Sequence, residues 1–282
     1  MHSQNSTDST RRALHGNTAN VSASNRANAP MAHELFGRIT DFACRNPLAD
    51  TPKAVLDDIV QLHFNLLSEI APVVCMNGWA WFHPDHLVEL DRYKGHDLAW
   101  QELVALSQDF TTVLGTSEPF VDLVGAFYNE AIAPKRAIAL GQFLTPPSLA
   151  RAVDAFVSEP SAASAPEPGD PSHFADLCCG AGALALAHLS GVLGREGKTA
   201  LAPMHVLIAD VDPAMAKLAA VQVAFSALFH QAPLCRLRVQ CGDLIADYIK
   251  SERQTLMLDL VFDRDRLFGG PVASLAQIAG TR

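Results

Sequence analysis

No Cys-x-x-Cys pair and no repeated cysteine spacing occurs in this chain, whose six cysteines fall at 44, 75, 178, 179, 235 and 241. Such a scatter builds neither a disulfide framework nor a zinc knuckle, so no metal site is expected and the thiols read as reduced, in a cytoplasmic protein. Positive charge is short as well: 21 Lys and Arg against 30 Asp and Glu leave a formal net charge of -9. That excludes a surface gripping a polyanion over its whole extent, because such binding rests on basic side chains neutralising phosphates. Contact with nucleic acid is then local or made through a partner. No apolar core follows a basic start at the amino terminus, so no secretory signal is expected. The most apolar window, LCCGAGALALAHLSGVL, follows Asp176 and contains His188 and three glycines. It reads as a buried strand, turn and helix rather than a membrane span.

What is present is ample apolar material, 49% of 282 residues, for a sizeable core. Residues 1–30 are rich in Asn, Ser, Thr and Ala, with few large apolar groups to offset the entropy of ordering, and read as a disordered tail. Residues 31–140 read as a helical domain. In KAVLDDIVQLHFNLLSEI the positions Leu56, Ile59, His63, Leu66, Leu67 and Ile70 follow a helical rhythm, and in DLAWQELVALSQDFTTVL so do Leu98, Leu103, Leu106, Phe110 and Val113. Ser117 and Pro119 suggest a further helix start. NGWAWFHPDHLVEL reads as a turn leading into a helix, its tryptophans in the core or at a subunit contact, and His83 and His86 lack a third metal ligand at a sensible spacing.

Residues 158–172 hold four prolines among small polar residues and form a loop. Beyond them apolar runs suited to strands alternate with helical ones: HFADLCC, GALALAHLSGVLG, MHVLIAD, PAMAKLAAVQVAFSALF, CRLRVQC and LMLDLVF. The alternation predicts an α/β fold with a mostly parallel sheet. In such a sheet, ligands bind in the loops at the carboxyl ends of the strands. Gly180 and Gly182 end the first strand in a sharp turn whose amides can approach a ligand, and Ala185 completes a dinucleotide-like fingerprint shared by many folds. Asp210 ends the second strand, where a carboxylate suits a ribose diol, and Asp212 before Pro213 suits a helix cap. Gly242 and Asp243 end the third. Upstream, Thr145 followed by Pro146 reads as a helix start.

The order GQFLTPP, DLCCGAGAL, DVDP, GDL, after a helical region, resembles the S-adenosylmethionine-dependent adenine-N6 DNA methyltransferases, above all the modification subunit of type I restriction systems. The resemblance covers residues 141 to about 262. It implies a helical amino-terminal domain followed by a Rossmann-like class I methyltransferase sheet of about four strands, filling 141–282. It implies S-adenosylmethionine as cofactor, with Gln142, Phe143 and Thr145 at its methionine end and Asp176, Cys178, Gly180 and Gly182 around its amino acid and sugar. Asp210 would hold the ribose hydroxyls, and Asp243 with Leu244 would flank the adenine. DNA would be the partner, recognised through a specificity or other subunit, with no membrane involved. Members of the family follow the fourth strand with Asn or Asp, two prolines and an aromatic residue, which hold a flipped-out adenine. Here FDRDRLFGGP stands there, with Asp263 and Phe268 as the available substitutes, and no catalytic residue is assigned. About twenty residues remain after that strand, so half of the usual sheet is missing and the fourth strand is expected at an edge. The alternative function is a catalytically inactive or truncated cofactor-binding relative that acts as a partner or regulatory protein.

Overall fold

The computed structural model describes residues 30–75, 78–125, 127–128, 144–158, 172–243 and 255–263. Among them, residues 30–45 form helix α1, followed by α2 (Pro52–Val74), β1 (Trp79–Phe82), α3 (Asp97–Thr116), α4 (Pro147–Val157) and β2 (Ser172–Asp176). Then come α5 (Ala183–Glu196), the short α6 (Lys198–Leu201), β3 (Met204–Asp210), α7 (Pro213–Phe229), β4 (Arg236–Cys241) and β5 (Thr255–Val261). The fold is α/β, built on an open, mixed sheet of five strands in the order β1-β5-β4-β3-β2.

The local signals behind these elements are mostly the expected ones. Thr51 caps α2 by accepting from the Ala54 amide, with Pro52 in the first turn, and Asp212 caps α7 by accepting from the Ala214 amide ahead of Pro213. Ser117 behaves differently: its hydroxyl donates to the Val113 carbonyl at 2.6 Å and closes α3 rather than opening a new helix. Thr145 is not a cap either. A residue before proline is pushed out of the helical region, so Pro146 stays extended in front of Pro147 and α4 begins one residue later than Thr145–Pro146 suggests. Leu66 and Leu98, expected on buried stripes, are exposed, whereas Val55, Val60 and Phe64 are buried.

Strands β2, β3 and β4 are parallel, as the alternation predicts, with Asp176 beside Ile208 and Asp210 beside Cys241. The fourth strand of the α/β half departs from expectation. β5 runs antiparallel to β4 and is covered on its other side by β1, which pairs Trp79 with Val261 and Phe82 with Leu258. Trp79–Phe82 is therefore a strand and not a turn into a helix; it adds a fifth strand to the four that lie within 141–282, and the open edges of the sheet are β1 and β2 rather than β5. In a doubly wound sheet the first strand is central and the fourth lies parallel on its free side. Here thirteen residues link β4 to β5, and an antiparallel return needs no crossover helix.

One hydrophobic core joins the helical region to the sheet, running from Leu35 and Phe42 through Ile59 and Phe110 to Phe225, Leu237 and Leu260. α7 is its axis. It lies on β3 and β4 and is flanked by α2, α3 and α5, so it is buried nearly all round, and its alanines let the neighbours approach. α4 packs on α5 through Ala150, Ala183 and Ala187. Beside this contact Asp154 binds His188, Arg195 and Ser158, three bonds that carry its carboxyl below the usual range although burial pushes the other way. A methyl group at Gly191 would stand 2.1 Å from the Asp154 carboxylate. Gly191→Ala is therefore expected to open this network and cost about 1–3 kcal/mol, read as a lowered urea midpoint; an unchanged midpoint would show that α4 shifts freely.

Candidate functional site

The carboxyl ends of β2, β3 and β4 share one edge of the sheet, and the structure brings Asp176, Cys178, Gly180, Gly182, Asp210 and Gly242 together there. The β2 ladder continues into the turn, the Cys179 amide donating to the Ala209 carbonyl at 2.9 Å. Gly180 (φ +51°) and Gly182 (φ +89°) then fold the chain back in the left-handed region, and Gly182 stands immediately before the first residue of α5. The Asp210 carboxylate locks this turn: one oxygen accepts from the Gly180 amide at 2.8 Å and the other from the Asp212 amide at 2.9 Å. Its remaining lone pairs are available to a diol, since a carboxylate accepts about four hydrogen bonds. Gly242 donates to the Asp210 carbonyl at 3.1 Å, which joins the end of β4 to the same edge.

Asp176 is 7% exposed and uses only one oxygen, accepting from the Cys178 amide at 3.4 Å, while Oδ2 is buried without a partner among the described residues. Burial pushes its carboxyl up, the Asp210 charge adds to the shift, and the Cys178 amide offsets part of it. An acid in this state is poised to accept from a ligand that brings a donor or a positive charge. Cys178 is exposed and Cys179 buried, so only Cys179 fills space in the turn; burial and the two acids raise its thiol well above the ordinary value, which keeps it protonated and unreactive.

Leu144 lies against the turn, its Cδ2 2.8 Å from where a Gly180 side chain would begin, so the segment carrying Thr145 meets the glycine turn in space. Thr145 itself is half-buried, and Asp243 is exposed just beyond Gly242. Gln142, Phe143 and Leu244 lie outside the described residues, as does Phe268. Asp263 lies elsewhere. Because β5 is antiparallel, Val261 is level with Arg236 and the Phe262 amide donates to the Cys235 carbonyl. Asp263 thus stands at the amino edge, roughly 17 Å from the carboxyl ends across the length of β4, and cannot replace the missing base-holding motif.

Two polar residues of α7 are marked by no motif, and the first of them, Gln222, supports the site. Gln222 donates to the Ala181 carbonyl at 2.8 Å and to Asp122 at 3.2 Å, while its own oxygen accepts from the Leu123 amide at 3.0 Å. It pins the glycine turn to the 120–125 segment. Lys217, buried in the same helix, donates to Gln61 at 2.5 Å and lies over the Phe64 ring; burial lowers its ammonium. The available signal is polarity itself, in a helix whose other positions are almost all apolar. No family model, curated protein or solved structure matches the chain. Its function is therefore read from the chemistry of this edge. Among the described residues no group of His, Cys, Asp and Glu is arranged to hold a metal ion, and no helix is long and apolar enough to cross a membrane.

Proposed function

We propose that the chain binds S-adenosylmethionine at the carboxyl edge of β2–β4 and serves adenine-N6 DNA methylation in the cytoplasm, as a modification-subunit-like protein that works with a DNA-recognising partner. The observation that carries this reading is the Asp210 carboxylate bound to the Gly180 amide, next to the unused buried oxygen of Asp176. The residues suit the cofactor. Asp210 accepts from the ribose hydroxyls with the lone pairs its two amides leave free, Asp176 accepts from the ammonium of the methionine end, and the glycine turn admits the amino acid and sugar without a side chain in the way. When bound, the cofactor supplies an electrophilic methyl group on a sulfonium.

The residues that would hold the acceptor base have no counterpart among the described residues at this edge, since β5 carries Asp263 to the opposite one. That strand direction favours a chain that holds the cofactor but does not transfer the methyl group alone; a partner must bring the adenine amino group into reach. A Rossmann-like ancestry of the methyltransferase type agrees with the parallel β2–β3–β4 unit and its glycine turn. Calorimetry with S-adenosylmethionine tests the pocket, and Asp210→Ala is expected to weaken binding by about tenfold or more, about 1.4 kcal/mol. Equal affinity of the wild type and the variant would reject the ribose role. Methyl transfer to adenine-containing DNA, assayed with and without a candidate partner chain, tests the division of labour.

A further inference from the structure

One stripe of α7 serves two parts of the chain that are distant in sequence. Ala219, Gln222 and Ser226 follow one another at spacings of three and four residues, which puts them on a single face of the helix. Towards its amino-terminal end this face meets the glycine turn: a Cβ on Gly182 would stand 3.1 Å from the Ala219 Cβ. One turn beyond Gln222, the Ser226 hydroxyl accepts from the Phe120 amide at 2.6 Å, and Phe120 is buried at φ +58°, a conformation unusual for an aromatic residue. Gln222 stands between the two contacts and bonds to both parts. Its Nε2 donates to the Ala181 carbonyl of the turn and to the Asp122 carboxylate, and its Oε1 accepts from the Leu123 amide. The same Asp122 oxygen accepts from the Gly125 amide at 2.8 Å and the Val124 amide at 3.3 Å, so the group that receives Gln222 also fixes the backbone of its own segment.

At 1% exposed, Gln222 has no water to replace a lost partner. If the 120–125 segment shifts, the amide either follows it and draws on the Ala181 carbonyl or leaves a buried polar group unpaired, and the second course is costly. Ala181 lies between Gly180 and Gly182, which carry no side chain to resist a change of direction. We propose that Gln222 is a positioning residue that couples the glycine turn to the 120–125 segment, so that order in the segment and occupancy of the carboxyl edge favour each other. A coupling of this kind is reciprocal: what steadies the segment tightens ligand binding, and the ligand steadies the segment to the same degree. The segment is tied in turn to the helical half, since Phe127, just beyond it, stacks on Phe36 of α1 at 4.1 Å and Lys53 of α2 lies over the Tyr128 ring. A change in the packing of α1 or α2 thus reaches the ligand edge through Gln222. The mechanical link needs no ligand; its use in holding S-adenosylmethionine rests on the cofactor reading above.

The test follows the full chain by calorimetry with S-adenosylmethionine and by amide hydrogen exchange. In the wild type the cofactor is expected to slow exchange of the Leu123 amide, which lies outside the glycine turn, by about tenfold. Gln222→Met keeps an unbranched side chain but has neither the amide donors nor the carbonyl. It is expected to quicken exchange of the Gly182 amide, to weaken cofactor binding by about tenfold and to remove the response of Leu123. Asp122→Ala changes the segment and leaves α7 intact; it should weaken binding by about two- to thirtyfold, and it carries the test if the buried substitution does not fold. A Gln222 with a structural role alone would lower the urea midpoint of the variant while the folded protein kept its affinity. Unchanged affinity in either folded variant, or a bound wild type in which Leu123 exchanges as fast as before, overturns the proposal. If the wild type gives no heat with S-adenosylmethionine, the cofactor reading fails by itself and Gly182 decides the link: faster exchange in either variant supports it, and equal rates overturn it.

Discussion

Lowering the pH from 7 to 4 is expected to remove about 3 kcal/mol of folding stability through His63 alone. The ring sits in the α2 stripe, 1% exposed, with Nδ1 2.8 Å from the Ile59 carbonyl and Nε2 2.9 Å from the Thr111 hydroxyl. A carbonyl only accepts, so Nδ1 carries the proton, and Nε2 lies against the Thr111 hydroxyl, which also donates to the Ser107 carbonyl. Phe110 and Phe225 pack their rings edge-to-face against the His63 ring at 4.9 and 5.5 Å and help to keep water away. Burial therefore lowers the imidazole from 6.5 to about 4, the Ile59 bond opposing only part of that shift. Above the unfolded value both states are neutral and the full stability is present. As the pH falls from 6.5 towards 4 the unfolded chain takes up a proton that the folded one refuses, and stability declines until the folded ring titrates. Urea unfolding between pH 7 and pH 4 measures the slope, and His63→Gln, which cannot titrate, should flatten it. The comparison with the variant matters because other groups move as well. Asp154, held low by its partners, adds to the acid loss, while Asp122 and Asp176, raised chiefly by burial, act against it. An identical slope in wild type and variant would mean that His63 is accessible to solvent protons in the native state.

His63 is also a residue whose setting is legible from local sequence. As the only polar-capable member of an apolar helical stripe it has to be a satisfied core residue or a functional one, and periodicity suffices to find it. The same holds for the parallel β2–β3–β4 unit, because its signals are local: a glycine turn after one strand, an Asp-x-Asp-Pro cap after the next, short links between them. The partner of β5 is another matter. Trp79–Phe82 is four residues long and lies more than 170 residues before the strand it joins, so neither its periodicity nor its neighbours reveal the pairing. Strand direction is equally hidden, since LMLDLV is apolar enough to be buried in either orientation. In the site, Asp210 and the glycines stand out because turn and strand-end chemistry is encoded nearby. Gln222 does not, because its role depends on Ala181 and Asp122, which only the packed fold brings to it. Leu66 and Leu98 fall outside the core for a related reason: helical rhythm marks two adjacent stripes nearly equally well, and the tertiary neighbour decides between them.

Gly182→Val should destroy the glycine turn, lowering stability by about 2–5 kcal/mol and abolishing the heat of S-adenosylmethionine binding. Two costs combine. The residue sits at φ +89° and ψ 18°, a conformation that is unfavourable for any side chain and worst for a β-branched one, and a Cβ there would lie 3.1 Å from Ala219 Cβ and 3.3 Å from Ala219 Cα. Ala219 is fully buried in α7, so the nearest atoms include a backbone that cannot swing aside. The turn cannot relax the other way, because the Gly182 amide donates to the Cys179 carbonyl at 2.7 Å and its carbonyl accepts from the Leu186 amide at 2.8 Å, the first bond of α5. Gly197 provides the internal control. It has nearly the same φ, +82°, though with ψ −179° in a region kept almost wholly for glycine, and among the described residues nothing lies within 4 Å of the position a Cβ would take, so Gly197→Ala should carry backbone strain alone, about 1–3 kcal/mol, and leave cofactor binding intact. Urea unfolding and calorimetry on both variants separate the two costs. If Gly182→Val costs no more than Gly197→Ala, the contact with Ala219 is too loose to set the turn; if it is destabilised yet still binds S-adenosylmethionine with unchanged affinity, the turn is structural and the ligand lies elsewhere. The expected pattern, a large loss of both stability and binding in one variant and a small loss of stability alone in the other, would tie the close approach of α7 to the shape of the pocket. It would also give the small residue at position 219 a functional meaning: α7 carries an alanine there because the glycine turn has to come within van der Waals contact of its backbone.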